Sequence, residues 1–200
     1  MRHPLRRSFP MILATAAVLA LATAAAASSP SLTAVRPMGG RRGTEVEVVF
    51  SGARLGDAQE VMFFEPGVVA TGITKINDDS FKAKLQIAAD AELGFRDLRV
   101  RTASGLSELR GFSVGAMPEV SEVEPNNAFE TPQSIPMNVV VNGVAENEDV
   151  DHYVVEARKG DRISVEVEGM RLGITLFDPY VAILNDKRFE LASSDDAALL

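Results

Sequence analysis

From about residue 30 onward, apolar and polar positions alternate with a period of two, and the alternating stretches are bounded by clusters of Gly, Asn, Asp and Pro. A strand places successive side chains on opposite faces, so this period predicts half-buried β-strands. In "GTEVEVVFSG" Val46 and Val48 alternate with Glu45 and Glu47. In "FKAKLQI" Phe81, Ala83, Leu85 and Ile87 fall on one side and Lys82 and Lys84 on the other. "DLRVRT" and "ELRGFSV" repeat the pattern about ten residues apart. Short strands at that spacing, separated by turn signals, predict an all-β sandwich rather than a parallel α/β sheet. Within "IAADAELGFRD" there is room for one helical turn before the next strand.

The second half carries the same signal. In "DHYVVEARKGDRISVEVEG" Tyr153, Val155 and Ala157 share one face, as do Ile163, Val165 and Val167. Gly160 sits between them in "RKGD", where it can take positive φ, so the stretch predicts a β-hairpin. Further strands are expected at about 138–144 and 180–185. The proline-bearing, acidic "GAMPEVSEVEPNN" marks a boundary between two modules. The chain runs out at "ASSDDAALL" with no closing strand, which predicts that the second sandwich lacks its last strands here.

The first 27 residues do not belong to this pattern. Arg2, Arg6 and Arg7 precede an apolar run from Met11 to Ala22, and Ala25-Ala26-Ala27 supplies a small-x-small cleavage pattern. This is the layout of a secretory signal peptide, and the run is shorter than the roughly 20 residues of a membrane-spanning helix. The expected location is therefore secreted, periplasmic or cell-surface. The chain has no cysteine, so disulfides and a lipid-attachment thiol are excluded. An exported chain without disulfides needs another source of stability, and bound metal is one.

Charge separates the halves. Residues 28–117 carry 11 basic and 11 acidic side chains, whereas 118–200 carry 6 basic and 17 acidic, a net of −11. Such a field repels nucleic acid and anionic lipid and attracts cations. The acidic residues cluster at 119–124 and 146–151. Glu122 and Glu124 stand one residue apart, so in an extended segment both point the same way. Pro125 then stiffens the chain, and Asn126 and Asn127 add neutral oxygens. Asp149 and Asp151 have the same spacing before a strand. If the two segments fold together, four carboxylates and two amides meet, a hard-oxygen set suited to calcium. The spacing is not that of an EF-hand, because Tyr153 stands where a third ligand belongs. The same residues also read as a polar linker and a solvated loop. Asp178, Asp186, Asp195 and Asp196 are candidates for a second acidic site, although Asp178 before Pro179 also reads as a turn and "NDKR" from Asn185 to Arg188 as a hairpin tip.

No catalytic residue is expected. A serine nucleophile needs a nearby base, and past the signal peptide His152 is the only histidine. Because it alternates with inward-facing Tyr153, it is expected to face outward. Adjacent Asp195 and Asp196 would point to opposite sheet faces. "GGRRG" at Gly39 to Gly43 lacks the lysine of a phosphate loop. With no tryptophan, sugar-stacking surfaces are scarce.

Two resemblances add to this. Residues from about 30 to 115, with "RPMGGRRGTEVEVVFSGARL", "VMFFEPGV" and "RVRTASGLSELRGFSVG", resemble the immunoglobulin-like IPT/TIG domains of secreted bacterial proteins, which implies a spacer and interaction module. Residues from about 119 to 200 resemble the bacterial pre-peptidase C-terminal domain. The likeness rests on Glu124-Pro125-Asn126-Asn127, Asp149-Val150-Asp151-His152-Tyr153, Lys159-Gly160, Phe177-Asp178-Pro179 and Asp195-Asp196. It implies a jelly-roll-like accessory module that binds calcium in some members and sometimes binds substrate.

The expectation is thus an all-β chain with a signal peptide at 1–27, an immunoglobulin-like sandwich at 28–116, an acidic linker at 117–125 and a truncated pre-peptidase-type sandwich over 119–200. Glu122, Glu124, Asn126, Asn127, Asp149 and Asp151 are the expected calcium ligands. The expected function is non-catalytic: adhesion, substrate binding or domain spacing. The alternative is the N-terminal part of a secreted hydrolase or protease whose catalytic domain lies beyond residue 200. Expected partners are an extracellular protein or polysaccharide, with no nucleic acid and no stable membrane insertion after cleavage; the sequence sets no oligomeric state.

Overall fold

The computed structural model describes residues 29–146, 149–169 and 178–195. Residues 1–27, where a signal peptide is expected, and Phe177 and Asp196 lie outside these residues. The described chain is all-β, and among these residues no helix is long and apolar enough to cross a membrane.

The first half is a two-sheet sandwich. One sheet has the order β1 (Ser31–Arg36), β3 (Glu45–Ala53), β6 (Ser80–Ile87), β5 (Val68–Asn77), all antiparallel. The other runs β2 (Gly39–Arg41), β9 (Arg110–Gly115), β7 (Gly94–Thr102), β4 (Glu60–Phe63), with β8 (Gly105–Leu106) paired to β7. Alternation decides which side chains enter the core. Phe81, Ala83, Leu85 and Ile87 are buried along β6, and Val48 and Phe50 along β3. The intervening Lys82 and Lys84 form cross-strand ion pairs with Glu47 and Glu45 on the solvent face. Phe50 and Phe81, directly opposite in the ladder, stack with ring centroids 4.7 Å apart. From the facing sheet Leu98, Val100, Phe112 and Val114 complete the core. Phe63 meets Phe112 edge-on, while its neighbour Phe64 is exposed.

Two local expectations need correction. "IAADAELGFRD" holds no helix: Ala91 N–H donates to the Ala88 carbonyl in one turn, and β7 begins at Gly94. The hairpin expected over 152–168 does not form. Its first strand is only β13 (Tyr153–Val154), which pairs in parallel with β11 (Gln133–Ser134). The turn is present, with Asp161 N–H donating to the Arg158 carbonyl and Gly160 at φ 102°. Residues 161–169 form no strand, and Val165 and Val167 are exposed. A two-stranded ribbon needs an apolar surface to pack on, and among the described residues no apolar side chain beyond Val114 is buried.

The second half otherwise consists of paired short strands. β10 (Glu119–Ser121) lies parallel to β12 (Val140–Asn142), so part of the acidic linker is itself a strand. β14 (Val181–Leu184) and β15 (Glu190–Ser194) form an antiparallel ribbon around the turn at Asn185.

Candidate metal centre

The centre forms where the linker folds back on the start of β13. Pairing of β10 with β12 extends the chain into Glu122, whose N–H donates to the Asn142 carbonyl at 3.0 Å. The Gln133 side chain keeps the next residues extended, accepting from Val123 N–H and donating to the Ser121 carbonyl, each at 2.9 Å. Glu122 and Glu124 consequently point the same way. The Glu124–Pro125 peptide bond is cis. The return is stitched by backbone hydrogen bonds: His152 N–H to the Asn126 carbonyl at 3.0 Å, Gln133 N–H to the His152 carbonyl at 2.9 Å, and Ile135 N–H to the Val154 carbonyl at 3.0 Å. These bonds bring Asp151 to the two glutamates.

Carboxylate oxygens of Glu122, Glu124 and Asp151 all lie within 4.8 Å of one another. Asn126 is fully buried at their edge. Its backbone N–H donates to Glu124 Oε2 at 2.9 Å and its Nδ2 to Glu122 Oε1 at 3.2 Å. Its carbonyl Oδ1 is buried and accepts no hydrogen bond, and the same is true of Asp151 Oδ1. Asp149 and Asn127 line the same open cleft as Glu122 and Glu124, but they bond to each other, Asn127 Nδ2 to Asp149 Oδ1 at 2.8 Å. Glu146 N–H holds the other oxygen, Asp149 Oδ2, at 3.1 Å. Three of the four expected carboxylates therefore converge, with Asn126 against them. Asp149 and Asn127 form a hydrogen-bonded pair in the same cleft.

Several contributors were not singled out from the sequence as part of the site. The Tyr153 hydroxyl donates to Glu122 Oε1 at 2.5 Å, and Val144 N–H donates to Glu122 Oε2 at 2.8 Å. Tyr153 stands two residues after Asp151, so the period that pairs Asp149 with Asp151 extends to it. Gly143 matters for what it lacks: a Cβ there would lie 3.0–3.2 Å from the Glu122 carboxylate atoms. Asn142 Nδ2 donates to Glu119 Oε2 at 2.8 Å.

The electrostatics are those of crowded acids. Burial, reinforced by the charges of Glu122, Asp149 and Glu124, pushes the Asp151 carboxyl up to about 6. Burial also acts to raise Glu122, but donation from Tyr153, Val144, Asn126 and Asp151 outweighs it and holds that carboxyl below its ordinary value. Burial and the adjacent Glu122 carboxylate push the Tyr153 hydroxyl well above its usual range. One proton or one cation relieves this repulsion. The donor set is oxygen alone, carboxylates plus an amide carbonyl, and buried oxygens remain without partners. That chemistry fits a hard cation and not a thiophilic metal.

The remaining sequence candidates lie elsewhere. His152 Nδ1 lies 3.1 Å from the Val150 carbonyl, and its ring stands edge-on to Phe129 with centroids 6.2 Å apart. Asp178, Asp186 and Asp195 fall outside the carboxylate group at 122–151. In "GGRRG" Arg41 ends β2 and Arg42 begins the turn after it, both exposed, with Arg42 N–H donating to the Gly115 carbonyl at 2.9 Å. No family model and no curated protein matches this chain.

Proposed function

We propose that the chain is an exported, non-catalytic β-module protein whose second half is stabilised by calcium, and that it serves adhesion, substrate binding or domain spacing at the cell exterior. The immunoglobulin-like first half is the spacer, and the second is a pre-peptidase-type module that meets an extracellular protein or polysaccharide. One observation carries the reading: Glu122, Glu124 and Asp151 present oxygens within 4.8 Å of one another against the buried, unpartnered Oδ1 of Asn126. Glu122, Glu124, Asp151 and Asn126 would hold the ion, with Asp149 and Asn127 in reach on the cleft wall. A bound divalent cation turns mutual repulsion of the acids into cohesion between the linker and β13.

Thermal unfolding tests this. Both tyrosines, Tyr153 and Tyr180, lie beyond residue 118 and the chain has no tryptophan, so tyrosine fluorescence reports on the second half alone. Calcium at about a hundred times its dissociation constant stabilises the folded form by about 2.7 kcal/mol, a shift of several degrees. Chelator reverses it, and Glu122→Gln abolishes it. A fluorescence transition that ignores both calcium and chelator overturns the reading.

A further inference from the structure

We propose that the β14–β15 ribbon is a strap whose docking is coupled to cation binding, through the ring of Phe129. This rests on the cation reading above and extends it to a second element. Among the described residues the ribbon has little to hold it in place: all five residues of β15 are exposed, and β14 pairs with β15 alone. An isolated two-stranded ribbon is marginal in water.

Among the described residues, and apart from the adjoining Tyr180, whose hydroxyl donates to Glu190 Oε2 at 2.7 Å, the polar and ring contacts that tie this ribbon to the rest of the chain are those of Arg188. The turn presents it: Asn185 Oδ1 accepts from Lys187 N–H and Phe189 N–H, Arg188 N–H donates to the Asn185 carbonyl, and Arg188 takes a positive φ of 66°. Its guanidinium lies 4.6 Å from the centroid of Phe129 and forms an ion pair with Glu130. A guanidinium over a ring face gains from the ring quadrupole only while the ring keeps its orientation.

That orientation is set at the cation centre. Phe129 lies three residues past Asn126, on a loop closed by Thr131 N–H donating to the Ala128 carbonyl. Its ring is steadied edge-on by His152, the neighbour of Asp151. Asn126 and His152 are joined by a backbone hydrogen bond, and each adjoins residues of the carboxylate group. A cation that holds Glu122, Glu124 and Asp151 together fixes both supports of the ring. Unrelieved repulsion loosens both, and Arg188 loses its seat. Linkage is reciprocal, so a docked strap must tighten cation binding by the factor with which the cation favours docking.

The experiment measures backbone amide exchange of the full chain with calcium or chelator, alongside calorimetric calcium titration. Calcium should slow exchange several-fold at residues 181–194, with residues 80–102 of the first half unchanged as the internal control. Arg188→Ala should abolish the slowing and weaken calcium binding roughly three- to tenfold. Arg188→Lys, which keeps a cation over the ring, should restore part of it, whereas Lys187→Ala should match the parent chain. Phe129→Leu, which keeps apolar bulk without a ring face, should behave as Arg188→Ala does. If calcium binds the parent chain but ribbon exchange is unaltered and Arg188→Ala binds as tightly as the parent, the strap is overturned and the cation site stands. If the parent chain binds no calcium, both are overturned.

Discussion

The Tyr153 hydroxyl donates to Glu122 Oε1 at 2.5 Å, joining positions 31 residues apart. This bond spans the fold-back that builds the acidic centre, so it should matter even without metal. A hydrogen bond to a charged, partly buried carboxylate contributes about 1.5–3 kcal/mol. Tyr153→Phe in chelator should lower second-half stability by about 1–2 kcal/mol, read as the denaturant midpoint of Tyr180 fluorescence. An unchanged midpoint would show that the hydroxyl holds nothing.

Gly143→Ala tests the space beside Glu122. A Cβ at 3.0–3.2 Å from both carboxylate oxygens and the carboxyl carbon must displace that group by a few tenths of an ångström. Calcium affinity should fall about tenfold, as expected when a ligand is misdirected, while the circular dichroism of the folded chain is preserved. Affinity equal to that of the parent chain would place Glu122 outside the coordination set.

The acids also predict a pH dependence in chelator. Asp151, pushed up from 3.8 to about 6, holds a proton in the folded state that the unfolded chain has released. From about pH 4.5 to 6 the folded chain therefore binds more protons, so stability falls as pH rises and the loss is complete above about 6. Glu119, raised by burial, adds in the same direction. Glu122, held below its ordinary 4.5, acts oppositely but only as pH falls below that value. Saturating calcium keeps Asp151 deprotonated and removes its part of the slope, leaving that of Glu119. Melting temperatures across this window, with and without calcium, check both statements.

The sandwich core should not depend on the metal. Phe50→Ala removes a fully buried ring stacked on Phe81 and should cost about 3–5 kcal/mol. The loss should appear in the circular dichroism transition and be the same in calcium and chelator. A calcium-dependent loss would mean that the halves are energetically joined.

The strands of the first half were legible because sheet burial itself imposes the period of two: Phe81, Ala83, Leu85 and Ile87 alternate in sequence because they alternate in burial. Periodicity names a face but not a neighbour. Tyr153 and Val155 carry a strand signal whose expected partner is the local segment at Ile163, whereas β13 pairs with β11 some twenty residues upstream. The acidic cluster was partly legible for a related reason. Spacing of two set Glu122 with Glu124 and Asp149 with Asp151, and the fold-back brought Asp151, though not Asp149, to the glutamates. It could not show that Asp149 would turn to Asn127, or that Val144 N–H and the Tyr153 hydroxyl would hold Glu122. Those contacts depend on where distant segments cross.

The most direct measurement is calorimetric titration of calcium into the metal-stripped chain and into its Asp151→Asn and Glu122→Gln variants. Saturable heat in the parent chain, absent or at least tenfold weaker in both variants while their folds persist, is the predicted result. Heat that is absent from the parent chain, or that survives both substitutions unchanged, contradicts the account.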